Sequence, residues 1–336
     1  MTMNHKKSVA TFRDRLLAPI MSAFEEASHH VDLVESSLRE TALQINHKQL
    51  LLLDEIHERT KNSGIIHLSE SEILIKIFSG LKMYLDPRDI AVVPHLALDA
   101  IWEHRITAAW LKTVRYHDTV IDIGANFGYF GALAAQLTDK KKSKVVHFEA
   151  NPHLIPYIRK TLAVNWLNEQ SVIENLAVAE KAGEVTLHLL KDYIGSSSLH
   201  SSEELAVYMQ DKMHLETKEK IKVQAVTLDE YCKQHKITSV DLIKMDIEGY
   251  EDLAYQGMRK IVQKSPDVTL FVEFTKDGYQ DPKAFYNLML NDFGNVYTID
   301  DDGRLVASEH ASYEAVIGDA DDWIMPVFSK RSDLAG

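Results

Sequence analysis

Cysteine is nearly absent from this chain, and long apolar runs and clustered metal-binding residues are missing altogether. The single cysteine, Cys232, cannot form an intrachain disulfide, so we expect a reducing, cytoplasmic compartment. No uncharged apolar run reaches the roughly 18 residues of a membrane-spanning helix, and residues 1–20 lack the pattern of a secretory signal. The 16 histidines show no spacing typical of a zinc site. These absences argue against a disulfide scaffold, a membrane protein and a zinc enzyme.

Positive charge is scarce in the second part of the chain. Residues 1–115 carry 14 Lys and Arg against 15 Asp and Glu, whereas residues 116–336 carry 23 against 35. The net charge of the second part is therefore −12, out of −13 for the whole chain. Because such a surface repels a phosphate backbone, we predict that nucleic acid is not the partner. The lysines of 140–144 are interpreted as a solvated loop rather than a binding patch.

A long polar helix is predicted over residues 22–60. Leu38, Ile45 and Leu52 keep a seven-residue spacing, which favours a short coiled coil through which the protein would form a homo-oligomer. A helix that packs on its own domain explains the same apolar stripe, and Lys48 interrupts it. Residues 1–62 are therefore treated as a separate N-terminal helical segment.

Residues 63–117 are predicted to lead from this segment into the ligand-binding part of the protein. Apolar residues alternate over 73–78 and 81–85 on either side of a Ser-Gly pair, which predicts a β-hairpin. From about residue 97 to residue 115 the apolar spacing becomes helical, with Leu98 expected to face inward.

Short apolar strands alternate with helices from residue 118 to residue 330. Continuous apolar runs separated by helices indicate a parallel sheet covered on both faces, so the predicted fold class is α/β. The predicted strands are 119–123, 144–148, 171–175, 241–245 and 268–273, with helices at 127–137 and 153–165. Further strands are predicted at 184–190 and 222–226, and an antiparallel closing pair at 295–299 and 323–328. Three tryptophans are interpreted as core residues: Trp110, Trp166 and Trp323.

A ligand-binding loop is predicted at residues 122–128, DIGANFG, between the first strand and its helix. Gly124 permits a sharp turn and a close approach of a ligand to the backbone. The free N–H groups of the following helix attract a carboxylate, and Asp122 can accept hydrogen bonds from an ammonium group. These features suit the zwitterionic methionine portion of S-adenosylmethionine.

The same loop disfavours a dinucleotide. Asn126 stands where the Gly-x-Gly-x-x-Gly motif has its second glycine, and Gly128 comes one residue too early. We therefore assign both residues, with Gly124, to an S-adenosylmethionine pocket.

An acidic residue ends the second predicted strand. Glu149 is placed to accept both ribose hydroxyls, and Asn151 belongs to the turn that follows. Asn175 and Ala177 come after the third strand and would line the adenine. Asp122 or Glu149 alone could equally cap a helix, but their joint spacing favours the cofactor interpretation.

Three acids are predicted at the sheet edge where ligands of open α/β proteins bind. Asp246 follows the fourth strand, Glu248 comes two residues later, and Glu273 ends the fifth strand. An alcohol is a poor nucleophile until it loses its proton, so a carboxylate base would help methyl transfer. Alternatively, Asp246 and Glu273 would hold Mg²⁺, which acidifies a bound hydroxyl. Glu248 could cap the next helix instead of taking part in catalysis.

Between about residues 83 and 304 the sequence resembles the FkbM-type methyltransferase family. The resemblance rests on residues 122–128, on EANP at 149–152 and, most distinctively, on KMDIEGYE at 244–251. It implies a class I methyltransferase fold, Rossmann-like, with a mostly parallel seven-stranded sheet and helices on both faces. It also implies S-adenosylmethionine as the cofactor and a hydroxyl group as the acceptor.

The resemblance extends to the acceptor and to residues before the first parallel strand. The family has a Trp-Glu pair near the cofactor cleft, which assigns Glu103 to cofactor binding, and a serine-rich stretch near the substrate, here 196–198. In bacteria such proteins often accompany polysaccharide synthesis, so we expect a small-molecule or glycan acceptor. Two other hypotheses are a methyltransferase with a nitrogen or carboxylate acceptor and a non-catalytic assembly protein built on the coiled coil.

Overall fold

The computed structural model of the protein describes most of the chain from residue 64 onward. The described residues are 64–190, 197–198, 217–275, 279–308, 311–318 and 323–335. The predicted helix over 22–60 and its coiled coil lie outside them, as does Ser196. Among the described residues, no helix is both long enough and apolar enough to cross a membrane.

A three-stranded antiparallel sheet begins the described part of the chain. Its strands are β1 (Ile65–Ser69), β2 (Glu72–Lys76) and β3 (Lys82–Leu85), in that order. The predicted hairpin is confirmed as β2 and β3, joined by a turn in which Gly80 has a φ of 86°. Strand β1 was not predicted, because all five of its residues are exposed and its apolar residues do not alternate with polar ones.

Two helices occupy the region where a single helix was predicted. Helix α1 (Val92–Asp99) is separated from helix α2 (His104–Thr113) by Ala100 and Glu103, which have φ values of 57° and 43°. Left-handed residues cannot continue a right-handed helix, so the chain must turn there. Leu98 was expected to face inward but is 78% exposed, so that expectation was wrong.

The remaining strands and helices form the larger part of the structure. The strands are β4 (Thr119–Ile123), β5 (Lys144–Phe148), β6 (Ser171–Glu174), β7 (Ala177–Val178), β8 (Gly183–Leu190), β9 (Ser197–Ser198), β10 (Thr217–Val226), β11 (Leu242–Met245), β12 (Thr269–Val272), β13 (Phe274–Thr275), β14 (Asn295–Ile299), β15 (Leu305–Ala307), β16 (Trp323–Ile324) and β17 (Val327–Ser329). The helices are α3 (Tyr129–Leu137), α4 (Ile155–Val164), α5 (Leu228–Gln234), α6 (Glu251–Gln256), α7 (Arg259–Lys264), α8 (Pro282–Phe293) and α9 (Tyr313–Val316).

The central sheet has the order β15-β14-β17-β12-β11-β4-β5-β6. Strands β12, β11, β4, β5 and β6 are parallel, and β17, β14 and β15 complete the sheet in antiparallel fashion. The mostly parallel sheet is thus confirmed, but it has eight strands because β15 extends the hairpin of β14. The strand predicted at 323–328 is two strands: β16 pairs with β13 outside this sheet, and β17 pairs with β12 and β14.

A second sheet lies between β6 and β11 in sequence and has the order β7-β10-β8-β9. The long antiparallel pair of β8 and β10 confirms the two strands predicted in this stretch. Ser197 and Ser198 form the short strand β9 beside β8.

Both faces of the central sheet are covered by apolar side chains of the helices. On one face Trp110 packs edge-on against Phe130 and Phe271, with ring centroids 5.9 and 5.3 Å apart. On the other face, residues of α5 to α8 form one apolar core with alternate residues of the parallel strands. Trp166 and Trp323 were predicted to be core residues, but they are 80% and 48% exposed.

The three-stranded sheet is fastened to helix α4 by side chains. Thr161 Oγ1 and Asn165 Oδ1 accept hydrogen bonds from the backbone N–H groups of Tyr84 and Lys82, each at 3.0 Å. Asn165 Nδ2 also donates to the Lys82 carbonyl at 2.7 Å. These bonds satisfy the free edge of β3, which would otherwise be open to pairing with another chain.

Candidate active site

The loop after β4 lies against both neighbouring strand ends. The N–H groups of Gly124 and Ala125 donate to the Phe148 carbonyl at 3.0 and 2.9 Å. Gly124 has a φ of 78°, and a Cβ atom placed on it would lie 1.9 Å from the backbone oxygen of Asp246. Glycine at 124 is therefore required for the turn and for the close contact with the chain that leaves β11.

Glu149 connects this loop with the turn after β5. Its Oε2 accepts a hydrogen bond from the Asn126 N–H and its Oε1 one from the Asn151 N–H, both at 2.7 Å. Burial raises the pKa of Glu149 to about 7, although these two N–H groups favour the charged form. Asn175 Nδ2 donates to the Glu149 carbonyl at 2.9 Å, so it fixes the backbone of the same turn.

Asp122 lies beneath helix α3 and is only 1% exposed. Its Oδ2 accepts a hydrogen bond from the Gly131 N–H at 2.8 Å, which satisfies a free donor in the first turn of that helix. Burial raises the pKa of Asp122 to about 6, while Lys244 favours its charged form. This carboxylate therefore holds the first turn of α3.

His147, Asp122 and Lys244 occupy one row across strands β5, β4 and β11. Neither ring nitrogen of His147 makes a hydrogen bond, and burial lowers its pKa to about 4. A Cβ atom on Gly131 would lie 2.3 Å from the His147 ring and 2.9 Å from Asp122 Oδ2. The absent side chain of Gly131 thus provides the space for this buried polar row.

Lys244 is a buried cation, with its side chain 3% exposed. Its Nζ lies 2.6 Å from Asp246 Oδ2 and 4.6 Å from the centroid of the Phe130 ring. Burial opposes its charge, but Asp246, Glu103 and Asp122 together raise the pKa of Lys244 above its ordinary value. The ammonium group is therefore charged, and it partly neutralises the acids of the site.

Glu103 is a strained and incompletely paired acid. Its φ of 43° is left-handed, and its buried Oε2 makes no hydrogen bond with any residue that the structure describes. Burial raises the pKa of Glu103 to about 7, against the attraction of Lys244 and with the repulsion of Asp246 and Glu248. Strained backbone with a buried unpaired oxygen is found more often at ligand-binding sites than elsewhere.

The three acids predicted at the ends of β11 and β12 are brought together. The Asp246 side chain is 24% exposed, and Glu248 has a left-handed φ of 58°. Burial raises the pKa of Glu273 well above its ordinary value, and the charges of Asp246, Glu248 and Glu251 raise it further. Burial and the repulsion of its acidic neighbours therefore favour the protonated form of Glu273.

The sequence profile of the methyltransferase FkbM domain matches residues 122–301, more than half of the chain. The chain belongs to the FkbM methyltransferase family. The predicted class I methyltransferase fold is confirmed, and S-adenosylmethionine is the cofactor of this FkbM methyltransferase.

Solved structures with a similar fold have low sequence identity. The FkbM methyltransferase of Methylobacillus flagellatus is 15% identical with a TM-score of 0.39, over 65% of this chain and 47% of that one. Precorrin-6y C5,15-methyltransferase of Geobacter metallireducens is 12% identical with a TM-score of 0.38, over 74% and 97%. TYW2 of Pyrococcus horikoshii, solved with MeSAdo, is 11% identical with a TM-score of 0.37, over 78% and 72%. No curated protein matches the chain.

The predicted Mg²⁺ site is not supported in this FkbM methyltransferase. Asp246 Oδ2 is already paired with the Lys244 ammonium group, which supplies the positive charge that a divalent ion would bring. Among the described residues there is no group of three or more His, Cys, Asp or Glu side chains that could hold a metal ion. The described residues therefore do not support a metal ion at Asp246 and Glu273.

Most of the other predicted site residues lie at one edge of the central sheet, but not all of them do. The residues that share the edge formed by β4, β5 and β11 are Asp122, Gly124, Asn126, Gly128, Glu149, Asn151 and Asp246. Ala177 lies in β7, paired with Ala225 in the second sheet. Lys244, Glu251 and Tyr279 were missed, although a lysine inside the apolar strand β11 was a usable signal. Their partners lie on other strands and loops, far away in sequence.

Proposed function

We propose that this FkbM methyltransferase is an O-methyltransferase that acts on a hydroxyl group of a sugar, a polysaccharide or a secondary metabolite. The observation that carries the proposal is the cluster of Asp246, Glu248 and Glu273 at the carboxyl ends of β11 and β12. These acids stand beside the loop that would hold the cofactor, since Gly124 contacts the Asp246 backbone. An alcohol acceptor needs such a base, because its proton must be removed during transfer.

The cofactor would lie across the ends of β4 and β5. The N-terminal end of α3 would attract its carboxylate, and Glu103, whose Oε2 makes no hydrogen bond, would accept the ammonium group. Glu149 would accept the ribose hydroxyls with the lone pairs that Asn126 and Asn151 leave free. The buried Oδ1 of Asn126, which also makes no hydrogen bond, supports a ligand at this position.

Methyl transfer is a single displacement in which the acceptor oxygen bonds to the methyl carbon while the sulfur–carbon bond breaks. Alignment of the two reactants can supply about 7–11 kcal/mol. Glu273 would take the hydroxyl proton in its ionised form, which the raised pKa makes a stronger base than an ordinary carboxylate. Asp246, fixed by Lys244, would orient the acceptor, and S-adenosylhomocysteine would leave.

The nature of the acceptor is tested by labelling. The protein is incubated with methyl-labelled S-adenosylmethionine and an extract of the native organism, and the labelled product is isolated. We expect the label in an ether that survives mild alkali. Label released as volatile methanol would indicate a carboxylate acceptor, and label on nitrogen an amine, and either result would overturn the proposal.

The catalytic assignment is tested with Glu273→Gln and Asp246→Asn. Glu273→Gln should slow labelling by about 10²–10⁴-fold while the affinity for S-adenosylhomocysteine, measured by calorimetry, changes little. Lys222→Met is the matched control, because Lys222 is exposed in the second sheet and pairs only with Glu184 in the described structure. Unchanged labelling by both acid variants would refute the assignment, and absence of cofactor binding by the unaltered protein would favour an assembly role.

A further inference from the structure

Glu251, the first residue of α6, closes the turn that carries Asp246 and Glu248. The side chain is fully buried, and its Oε1 accepts hydrogen bonds from the N–H groups of Ile247 at 2.8 Å and Gly249 at 3.3 Å. Its Oε2 lies 2.9 Å from the hydroxyl oxygen of Tyr279. A buried acid therefore links the turn after β11 with the chain that follows β12.

If Glu251 is ionised, the link has one hydrogen too few for its two short contacts. The Tyr279 hydroxyl has a single hydrogen, yet its oxygen lies 2.9 Å from Glu251 Oε2 and 3.0 Å from the Glu273 backbone carbonyl. The Thr275 N–H, at 3.4 Å, points its hydrogen at the same hydroxyl oxygen. Because a carboxylate and a carbonyl can only accept, an ionised Glu251 leaves one of the two short contacts without a hydrogen.

A proton on Glu251 satisfies both contacts. The carboxylic acid donates to the Tyr279 oxygen, and the tyrosine hydroxyl is then free to donate to the Glu273 carbonyl. The charge of Asp246 favours the same state, because it repels an ionised Glu251, and the Lys244 ammonium group is paired with Asp246. Burial, reinforced by Asp246, raises the pKa of Glu251 to about 8.

We propose that Glu251 is a positioning residue that acts as a neutral carboxylic acid, tying the turn of Asp246 to the end of β12 through Tyr279. The arrangement holds the two acids of the proposed reaction, Asp246 and Glu273, at a fixed separation. This inference rests on the proposed function for its catalytic meaning, but the proton itself can be tested without any methyl acceptor.

The direct test uses infrared difference spectroscopy of the full chain at pH 7. Glu251→Gln keeps an acceptor for Ile247 and Gly249 and supplies an N–H donor to Tyr279, so it imitates the protonated acid. The wild-type minus Glu251→Gln spectrum should show the C=O stretching band of a protonated carboxyl, and that band should vanish as the pH rises above about 8. A difference spectrum with a carboxylate band at pH 7 would overturn the proposal.

A second test follows the denaturation midpoint from pH 6.5 to pH 9. The pKa of Glu251 is higher in the folded chain than in the unfolded chain, so its contribution to stability is lost as the pH rises through about 8. The midpoint of the wild type should fall more steeply than that of Glu251→Gln, whereas Glu251→Met should be destabilised at every pH. Parallel curves for the wild type and Glu251→Gln would contradict the inference.

Tyr279→Phe isolates the second half of the link. This variant removes the acceptor of the Glu251 proton, so the loss of stability should begin at a lower pH than in the wild type, while burial still raises the pKa of Glu251. Tyr286→Phe is the matched control, because Tyr286 is also buried but its hydroxyl donates to the Ala311 carbonyl at 3.2 Å, in a different contact. If both tyrosine variants keep the wild-type pH dependence, Glu251 does not act through Tyr279. A nitrogen-linked product in the labelling experiment would refute only the proposed function, since the infrared and unfolding results do not depend on it.

Discussion

Glycine at position 124 of the cofactor loop has two possible reasons, the left-handed backbone and the lack of space for a Cβ atom, and Gly124→Ala tests them. Gly124 has a φ of 78°, and its neighbour across the sheet edge, the Asp246 carbonyl, leaves no room for a Cβ atom. Gly80 in the β2–β3 hairpin has a similar φ of 86°, but nothing lies within 4 Å of the Cβ position there. Gly80→Ala is therefore a control with the same backbone strain and without the contact.

The stabilities of Gly124→Ala and Gly80→Ala should differ only because of the contact between residue 124 and the Asp246 carbonyl. A left-handed alanine costs about 1–2 kcal/mol, partly offset by about 0.4–1 kcal/mol from the reduced entropy of the unfolded chain. In Gly124→Ala the Cβ atom would stand 1.9 Å from a backbone oxygen, so the two chain segments must separate by about 1 Å. Such overpacking adds about 1–3 kcal/mol. We expect Gly124→Ala to lose that much more stability than Gly80→Ala.

The free energy of unfolding and the affinity for the cofactor product are both measured at 25 °C. Guanidinium unfolding gives the free energy of unfolding of each variant, and calorimetry gives the dissociation constant of S-adenosylhomocysteine. Gly124→Ala should also bind the ligand at least about tenfold more weakly, a loss of about 1.4 kcal/mol, because the loop shifts. If the two variants unfold within about 0.5 kcal/mol of each other and bind the ligand equally, the contact between Gly124 and Asp246 is not a tight one.

Three further predictions concern the buried polar groups. Lys244→Met should destabilise the protein by about 3–5 kcal/mol in chemical unfolding, because it leaves buried acids without their cation, whereas loss of the exposed pair in Lys222→Met should have little effect; equal losses would contradict this. Between pH 6.5 and 8 the free energy of unfolding should fall, since burial raises the folded-state pKa of Glu149 to about 7. Glu149→Gln should flatten that slope. If the free energy of unfolding of the wild type rises over this range instead, the pKa of Glu149 is not raised by folding. Gly131→Ala should cost about 1–3 kcal/mol, and much of the loss should disappear in a His147→Ala background, which removes the ring that a Cβ atom would strike; additive losses in the double mutant would argue against that contact.

The sequence sufficed for the parts of the site that depend on neighbouring residues. The β-branched run of β4 followed by Gly124 predicts a strand, a tight turn and a helix, and the structure has all three. Glu149 is predicted in the same way, as the acid that ends the next strand. Parallel strands end at one edge of the sheet, so the strand pattern alone also places Asp246 and Glu273 at a common edge.

Other features depend on contacts between residues that are distant in sequence. The partners of Lys244 are fixed by the register of β11 beside β4, and Tyr279 reaches Glu251 only because the chain returns after β12. The break between α1 and α2 depends on Glu103, which adopts a left-handed conformation that its residue type does not favour. Residue type alone also misplaced Trp166, a large aromatic residue that is exposed in the turn after α4.

Strand β17 connects the parallel part of the central sheet with its antiparallel part. Val327–Ser329 lies between β12 and β14, so neither of these strands is paired on both sides until β17 is in place. Until then the nascent protein presents an unpaired apolar edge at β12, the kind of surface on which chains aggregate. Shortening the chain to end before residue 327 should therefore yield insoluble protein rather than a smaller functional enzyme.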